Sequence, residues 1–279
     1  LGLFNSFFGR FTGFANTTGS NNAFFGVGAG EESTTGSENT FLGNRAGTRN
    51  GAANGNTAVG WEAGFNNTAS NNSFFGWSAG KANVTGDRNA FFGLEAGLNN
   101  TTGWCNSFFG NRAGLGNIDG VGNTAVGGSA GSSNISGQRN SFFGDQSGLG
   151  VTTGSHNTFL GTLTSGAANL TYGTAIGAGS NVSTNDTIVL GKAAGEYLGV
   201  QRPADTVQIP GNLNVAGNIN VTGNGLVKNI NGLSGELTVV PGANITLTPN
   251  GNTITIASTA NGTISGVTAG TGLTGGGTA

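Results

Sequence analysis

The chain has 279 residues and is almost neutral, with 10 Lys and Arg against 12 Asp and Glu, and only 8% of its residues are charged. An ordinary globular domain has about 25% charged residues, so the polarity of this chain comes from Asn, Thr, Ser and 56 glycines instead. So few basic residues exclude a basic nucleic-acid-binding surface, and the lack of a regular Gly-X-Y triplet excludes collagen. The 18 phenylalanines are too many for a disordered chain.

Targeting segments are not evident in the sequence. It has no run of 18 apolar residues and no basic segment followed by an apolar one, so we expect neither a transmembrane helix nor a signal peptide in it. The chain lacks methionine and starts within a repeat, which indicates a fragment or a processed chain. A single cysteine, Cys105, excludes an intrachain disulfide and fits either redox compartment.

A motif of the type Asn-x-Phe-Phe-Gly begins at Asn5 and returns along the chain as far as position 195. Its closing glycines recur with a 17-residue period, interrupted by two steps of 16 and a last step of 14. They are Gly9, Gly26, Gly43, Gly60, Gly76, Gly93, Gly110, Gly127, Gly144, Gly161, Gly177 and Gly191. A fixed short period is typical of a solenoid, and a 17-residue repeat suffices for one coil of short strands and tight turns. The sequence therefore predicts an all-β parallel β-roll over residues 1–195.

Three columns of the repeat support this fold. Asn stands four residues before the glycine in ten successive repeats, where stacked side chains about 4.8 Å apart can form a hydrogen-bonded ladder. The glycine supplies a positive φ at a corner. A small residue follows three positions later, as at Ala29 and Ala96, which indicates close backbone approach inside a narrow tube.

Two large apolar positions precede each glycine, and neighbouring side chains of a strand point to opposite faces. The position directly before the glycine, the second column, is always large and apolar, so we assign it to the inside of the coil. The position before that, the first column, then faces outward. Its phenylalanines are Phe7, Phe24, Phe41, Phe74, Phe91, Phe108, Phe142 and Phe159.

Eight outward phenylalanines would expose more than about 1,000 Å² in one stripe, which monomers rarely tolerate. Covering the stripe is worth on the order of 15 kcal/mol per chain. We therefore expect a homotrimer, in which three thin rolls close around a line of stacked rings with the first column as the interface. Exchanging the two columns leaves this expectation unchanged. The alternative is a wide monomeric β-helix that encloses both columns, for which a 17-residue coil leaves little room.

The repeats resemble known fibrous proteins. "NTAVG", "GTAIGAGSNV" at 173–182 and the last 14-residue step resemble the head repeats of trimeric autotransporter adhesins, which are left-handed parallel β-rolls wound as trimers. The longer "NTTGSxNxFFGxxAG" form resembles repeats of bacterial and phage tail-fibre-like proteins. The resemblance covers about residues 5–195 and implies a left-handed homotrimer. The chain departs from it in its mainly 17-residue period and its abundant phenylalanine.

Residues 196–279 have a different pattern. We interpret 196–210 as a neck and 211–279 as a β-rich fibre stem, incomplete at its C-terminus, of the β-prism or β-spiral type with three-fold symmetry. A six-residue step over 211–225 places Leu213 over Ile219 and Val215 over Val221. Residues 232–258 alternate apolar and polar positions across turn signals at Pro241-Gly242 and Asn250-Gly251. Residues 264–278 are similar to the repeats of tail-fibre shafts.

Candidates for chemistry are few. His156, the only histidine, lies in a variable column five residues before the glycine, together with Cys105, and neither has a partner for catalysis or metal binding. The spacing also predicts ion pairs between adjacent coils, Arg45 with Glu62 and Glu95 with Arg112, of roughly 0.2–1 kcal/mol each. We expect no enzyme activity, catalytic residue, cofactor or metal.

Trp61 and Trp77 occupy the same column of adjacent coils, directly after the glycine. They form either a carbohydrate platform or a local packing substitution in a tolerant column, and the sequence favours the second reading.

The sequence favours a mechanical function. We expect the shaft segment of a homotrimeric, extracellular fibre, on a virion, an injection system or a cell surface, that displays a receptor-binding tip. A receptor or surface glycan would then be bound through a distal domain, with no nucleic acid and no membrane span in this segment. The alternative is an adhesin head whose flank itself binds matrix protein or glycan, which a deviant patch such as Trp61, Trp77 and Trp104 would favour.

Overall fold

The computed structural model describes residues 2–210, 212–214 and 216, and the backbone of residues 229–230, 233–234, 245–250 and 253–258. The chain divides into two compact units, one ending at Gln208 and one beginning at Ile209. No helix occurs among the described residues. The first unit is a parallel β-solenoid of about eleven coils, and in most of them equivalent positions of adjacent coils are 16 or 17 residues apart. This architecture confirms the predicted all-β roll. The two units are described separately below.

One strand of each coil contributes to a twelve-stranded parallel sheet that runs the length of the solenoid. Consecutive strands pair in register, so that Phe91 lies opposite Phe108 and Phe92 opposite Phe109. The strands of this sheet are β1 (Ser6–Phe8), β2 (Ala23–Phe25), β3 (Thr40–Leu42), β4 (Thr57–Val59), β5 (Ser73–Phe75), β6 (Ala90–Phe92), β7 (Ser107–Phe109), β8 (Thr124–Val126), β9 (Ser141–Phe143), β10 (Thr158–Leu160), β12 (Thr174–Ile176) and β14 (Ile188–Leu190). Two shorter strands, β11 (Ser165–Gly166) and β13 (Asn181–Val182), pair with each other in the last coils.

The first phenylalanine column forms the core of the solenoid. Phe24, Phe41, Phe74, Phe91, Phe108, Phe142 and Phe159 are each at most 1% exposed, and only Phe7 of the first coil, at 38%, is not buried. The prediction that this column faces outward and forms an interface between chains is therefore wrong. A side chain enclosed by its own chain is not available to a partner.

The core rings stack along the solenoid axis and rest on small residues across the coil. The ring centroids of Phe24 and Phe41 are 4.6 Å apart, and those of Phe91 and Phe108 are 4.8 Å apart. The small residues, from Ala29 to Ala130, are fully buried, which confirms the narrow tube. The rings leave no space beside the following glycine: a Cβ on Gly97 would lie 2.5 Å from the Phe91 ring.

The Asn column is a buried hydrogen-bonded ladder, as the spacing predicts. The Oδ1 of Asn106 accepts from the backbone N–H of Asn123 at 2.9 Å, and its Nδ2 donates to the carbonyl of Gly120 at 2.8 Å. The same pattern joins Asn89 to Asn106, so each side chain satisfies backbone groups of the next coil. A ladder of this kind ties each coil to its neighbour through backbone N–H groups that would otherwise be buried without partners.

A second buried Asn ladder, which the sequence did not lead us to expect, runs along another side of the tube. The Nδ2 of Asn117 donates to Oδ1 of Asn100 at 2.7 Å, and Asn100 donates in the same way to Asn83 at 2.6 Å. These side chains also close their own turns, since the Nδ2 of Asn100 reaches the carbonyl of Gly103 at 2.9 Å. The Asn-Thr-Thr-Gly turn at 100–103 thus places its first side chain in the core.

The motif glycines adopt positive φ where the sheet strand ends, as predicted. Gly93 and Gly110 both have φ of 141°. Neither position has room for a side chain, because the backbone of the motif glycine in the next coil packs against it. A Cβ on Gly93 would approach the carbonyl oxygen of Gly110 to 2.3 Å. The glycine therefore serves two needs, an unusual backbone angle and close stacking of backbones.

The segment interpreted as a neck forms a hairpin at the end of the solenoid. Strands β15 (Gly195–Tyr197) and β16 (Val200–Arg202) pair antiparallel. The Tyr197 ring lies against Gly179, and its hydroxyl is 3.4 Å from the carbonyl of Thr162. Asp205 Oδ2 accepts from the backbone N–H of Lys192 at 2.9 Å, which lowers the pKa of that carboxyl. The hairpin contacts the terminal coils and acts as their cap.

Beyond residue 216, the second unit is described only through its strands. Strands β17 (Asn229–Ile230) and β18 (Leu233–Ser234) form one antiparallel pair, and β19 (Ile245–Asn250) and β20 (Thr253–Ser258) form another. The second pair places a reversal at the predicted turn after Asn250. The predicted six-residue step, apart from Leu213, the turn at Pro241-Gly242 and the repeats of 264–278 lie outside the described residues.

Candidate functional site

The second column, not the first, lies on the outer face of the twelve-stranded sheet. Phe25 is 42% exposed, Leu42 51% and Phe109 39%, although each is flanked by a coil on either side. The column consists of Phe8, Phe25, Leu42, Val59, Phe75, Phe92, Phe109, Val126, Phe143, Leu160, Ile176 and Leu190, and all of them are exposed or half-buried. The structure thus has an uninterrupted apolar stripe on the outer surface of the solenoid.

Aromatic rings of this stripe stack on one another in its central part. The centroids of Phe75 and Phe92 are 4.7 Å apart, and those of Phe92 and Phe109 are 5.0 Å apart, with nearly parallel planes. Stacking shields the ring faces from water but leaves the outer ring edges exposed, so the stripe presents a row of edges at the coil spacing. Such a row is apolar, regular and rigid.

The outer face of the sheet carries no charge. The other outward position of each strand holds Ser, Thr or Ala in eleven strands and Ile188 in the last. The charged residues of the solenoid all lie outside these strands. Arg45 and Glu95, for example, lie two residues after a motif glycine, and Arg139 directly precedes an Asn of the ladder. One side of the coil therefore carries the apolar column beside small uncharged residues, whereas the other sides carry the charges.

Trp61 and Trp77 stack as their shared column predicts. Their ring centroids are 4.9 Å apart, their planes are 12° from parallel, and their side chains are 38% and 45% exposed. Each indole covers one face of the other, and the Lys81 ammonium lies 5.3 Å from the Trp61 centroid. A sugar would therefore find only the two outer faces and the ring edges, which is less than two free tryptophans would offer. Trp104, also exposed, lies elsewhere on the coil and contacts Arg88.

Ion pairs connect neighbouring coils beside the tryptophans. Arg45 Nη1 lies 3.0 Å from Glu62 Oε1, and Lys81 Nζ lies 2.6 Å from Glu62 Oε2, so one carboxylate bridges three coils. The predicted pair of Arg112 with Glu95 is also present, at 2.7 Å. The energy expected from the sequence is that of exposed pairs, but the Glu62 side chain is only 5% exposed while its two cations remain partly in solvent. Burial makes the Glu62 pairs more sensitive to removal of the carboxylate than an ordinary surface pair.

Replacing Glu62 with Gln should therefore lower the unfolding free energy by about 1–2 kcal/mol, because two half-exposed cations lose their partner while the shape of the side chain is retained. The measurement is chemical unfolding monitored by circular dichroism. The control is Glu38→Gln, since Glu38 lies exposed in a turn. Equal effects of the two substitutions would contradict a specific contribution of Glu62.

His156 and Cys105 lie in the turn column that the sequence assigned to them. Both adopt a left-handed backbone, with φ of 62° and 56°, and His156 is exposed. The His156 ring stacks on Tyr172 at 4.9 Å, and its Nε2 is 3.4 Å from Arg139 Nη1. Within the described residues, no three His, Cys, Asp or Glu side chains are grouped so that they could hold a metal ion.

The part of the chain that the structure describes contains no apolar helix of membrane-spanning length. Comparison with family models, with curated proteins and with solved structures returns no match for this chain.

Proposed function

We propose that this chain is the shaft segment of a homotrimeric extracellular fibre, carried by a virion, an injection system or a cell surface, that holds a receptor-binding tip away from its base. The observation that carries the proposal is the unbroken parallel sheet, in which each strand pairs only with the equivalent strands of the neighbouring coils, through about eleven coils. At about 4.8 Å per coil, the solenoid is a rod of roughly 50 Å. A rod with few long loops and backbone groups paired from coil to coil suits a load-bearing spacer.

The exposed apolar stripe supports assembly of the shaft into a trimer. Monomeric proteins rarely leave contiguous apolar patches beyond a few hundred Å² in water. The stripe follows the rod axis, so parallel chains can cover it along their full length without limiting the length of the rod. A left-handed winding of the coils, a three-fold β-prism stem after residue 210 and the domain boundaries at residues 195 and 210 belong to the same proposal.

A second candidate function is an adhesin head whose flank binds matrix protein or glycan. The observation that favours it is the cluster of exposed Trp61 and Trp77 next to the charged groups of Glu62 and Lys81. Aromatic rings beside polar groups are typical of carbohydrate sites. The stacked geometry reduces the ring faces available to a sugar, so we place this candidate second.

A truncated chain separates the two functions. The variant ends after Gln208 and so retains the solenoid with its capping hairpin. If the solenoid is a shaft, we expect this variant to form rods of about 50 Å in negative-stain electron micrographs and to lose attachment to target cells that the longer protein binds. Retained attachment would contradict the shaft proposal. Loss of that attachment in a Trp61→Ala, Trp77→Ala double variant of the truncated chain would then support the adhesin head.

A further inference from the structure

We propose that the outer face of the twelve-stranded sheet is the surface on which copies of this chain pack, with the second column of three chains meeting along a common axis. The inference rests on the proposed homotrimeric shaft and names the surface that builds it. It replaces the interface that the sequence predicted, since Phe91 and the other residues of the first column are enclosed within one chain.

The charge distribution indicates which side of the coil is covered. The outward strand positions carry no Lys, Arg, Asp or Glu in any of the twelve strands, over the whole length of the solenoid. Charged side chains occur on the remaining sides, such as Glu31, Arg49, Asp87 and Asp119. An exposed β surface that avoids charge over its whole length is unusual for a face in contact with water, whereas the core of an interface is depleted in charged residues.

The exposed apolar area is sufficient for a stable interface. The column residues retain substantial exposure, for example 51% for Leu42, 38% for Phe143 and 49% for Leu160. With about 150–250 Å² for a full aromatic side chain and somewhat less for Leu or Val, the column exposes on the order of 800 Å² per chain. This is about the area that each partner contributes to a standard specific interface.

The spacing of the column points to further copies of this chain as the occupant. Its rings repeat at 4.7 Å between Phe75 and Phe92 and at 5.0 Å between Phe92 and Phe109. A partner that meets every ring needs side chains at the same spacing along a rigid straight line, and an identical solenoid provides them. A column one side chain wide has two flanks. In a bundle of three, each flank meets a neighbour, so neither remains in water.

The test is the mass of the full chain in solution, by sedimentation or light scattering, across a dilution series. The interface variant replaces Phe75, Phe92 and Phe109 with Thr, a residue common on this sheet face. The control variant replaces Val84, Ile118 and Ile135 with Thr; these apolar side chains are 40–44% exposed, in a column where other coils already carry Thr. We expect the native chain to have a mass of three times 27.5 kDa. The interface variant should raise the dissociation constant of the trimer at least about 100-fold, and the control variant should leave it unchanged.

The outcomes distinguish the interface from the function. A trimer unaffected by the interface variant overturns this inference and leaves the shaft proposal standing, whereas a native chain that is monomeric at every concentration overturns both. A second experiment does not depend on the stability of the triple variant. In a Cys105→Ser background, Phe92→Cys should give a disulfide-linked dimer band under copper-phenanthroline oxidation, and Ile118→Cys should not. The reverse pattern would place the interface on another side of the coil.

Discussion

Replacing Gly93 with Ala should lower the free energy of unfolding by about 4 kcal/mol or more, which is the largest effect that we expect from a single methyl group. The added Cβ would lie 2.3 Å from the carbonyl oxygen and 2.6 Å from the carbonyl carbon of Gly110. Both atoms belong to the backbone of the next coil. That backbone is held in place by the coil that follows it, so it cannot move aside as a flexible side chain could. The φ of 141° adds strain for any residue with a side chain. Denaturant unfolding followed by circular dichroism measures the effect.

The matched control for Gly93→Ala is Gly122→Asn. Gly122 also has a positive φ, 67°, but its nearest neighbour would be the Cγ of Arg139 at 3.6 Å, an ordinary contact distance. Asn21 and Asn71 occupy the same column in other coils with φ of 59° and 63°. We expect this substitution to change stability by less than about 1 kcal/mol. A comparable loss in the two variants would show that backbone angle alone, rather than coil stacking, explains the glycine.

Replacing Asn106 with Ala should lower the unfolding free energy by about 3–5 kcal/mol, because it interrupts the buried ladder at two points. The backbone N–H of Asn123 loses its acceptor, and the carbonyl of Gly120 loses the nearer of its two donors and keeps only Nδ2 of Asn117, at 3.1 Å. Both residues are buried, so water does not replace the lost partners without opening the coil. The unfolding midpoint and the protection of the Asn123 amide against hydrogen exchange both report the change.

Asn111→Ala is the control for the ladder variant. Asn111 lies in the same coil, five residues further along, but is exposed. The same chemical change there should cost less than about 0.5 kcal/mol. Normal hydrogen-exchange protection of Asn123 in the Asn106→Ala variant would mean that the ladder does not hold the coils together.

The repeat alone was sufficient to predict the coil, the Asn ladder and the corner glycines. Each depends on a residue whose local chemistry permits few alternatives: a buried Asn needs partners, and Gly93 needs both a positive φ and free space above it. The cap formed by Gly195–Tyr197 and Val200–Arg202 was not predicted, because a short hairpin outside the repeat has no periodic signal.

The orientation of the two phenylalanine columns was the main error, although the sequence contained a signal that decides it. Alternation shows only that neighbours such as Phe108 and Phe109 face opposite ways. Asn106, however, lies two residues before Phe108, so both side chains point to the same face. A buried Asn ladder therefore requires that the first column be inside.

The stacking of each coil only on its neighbours has a consequence for how such a protein changes over generations. A single repeat unit that is duplicated or lost carries its own Asn ladder unit, corner glycine and core side chain, which is Phe or Ala in most coils, and its two new neighbours present the same kinds of surface as before. Copy-number change in the underlying DNA would therefore lengthen or shorten the rod in increments of about 4.8 Å while every contact type is kept. Reach would then be adjustable by unequal recombination, without any substitution in the parts that the rod connects.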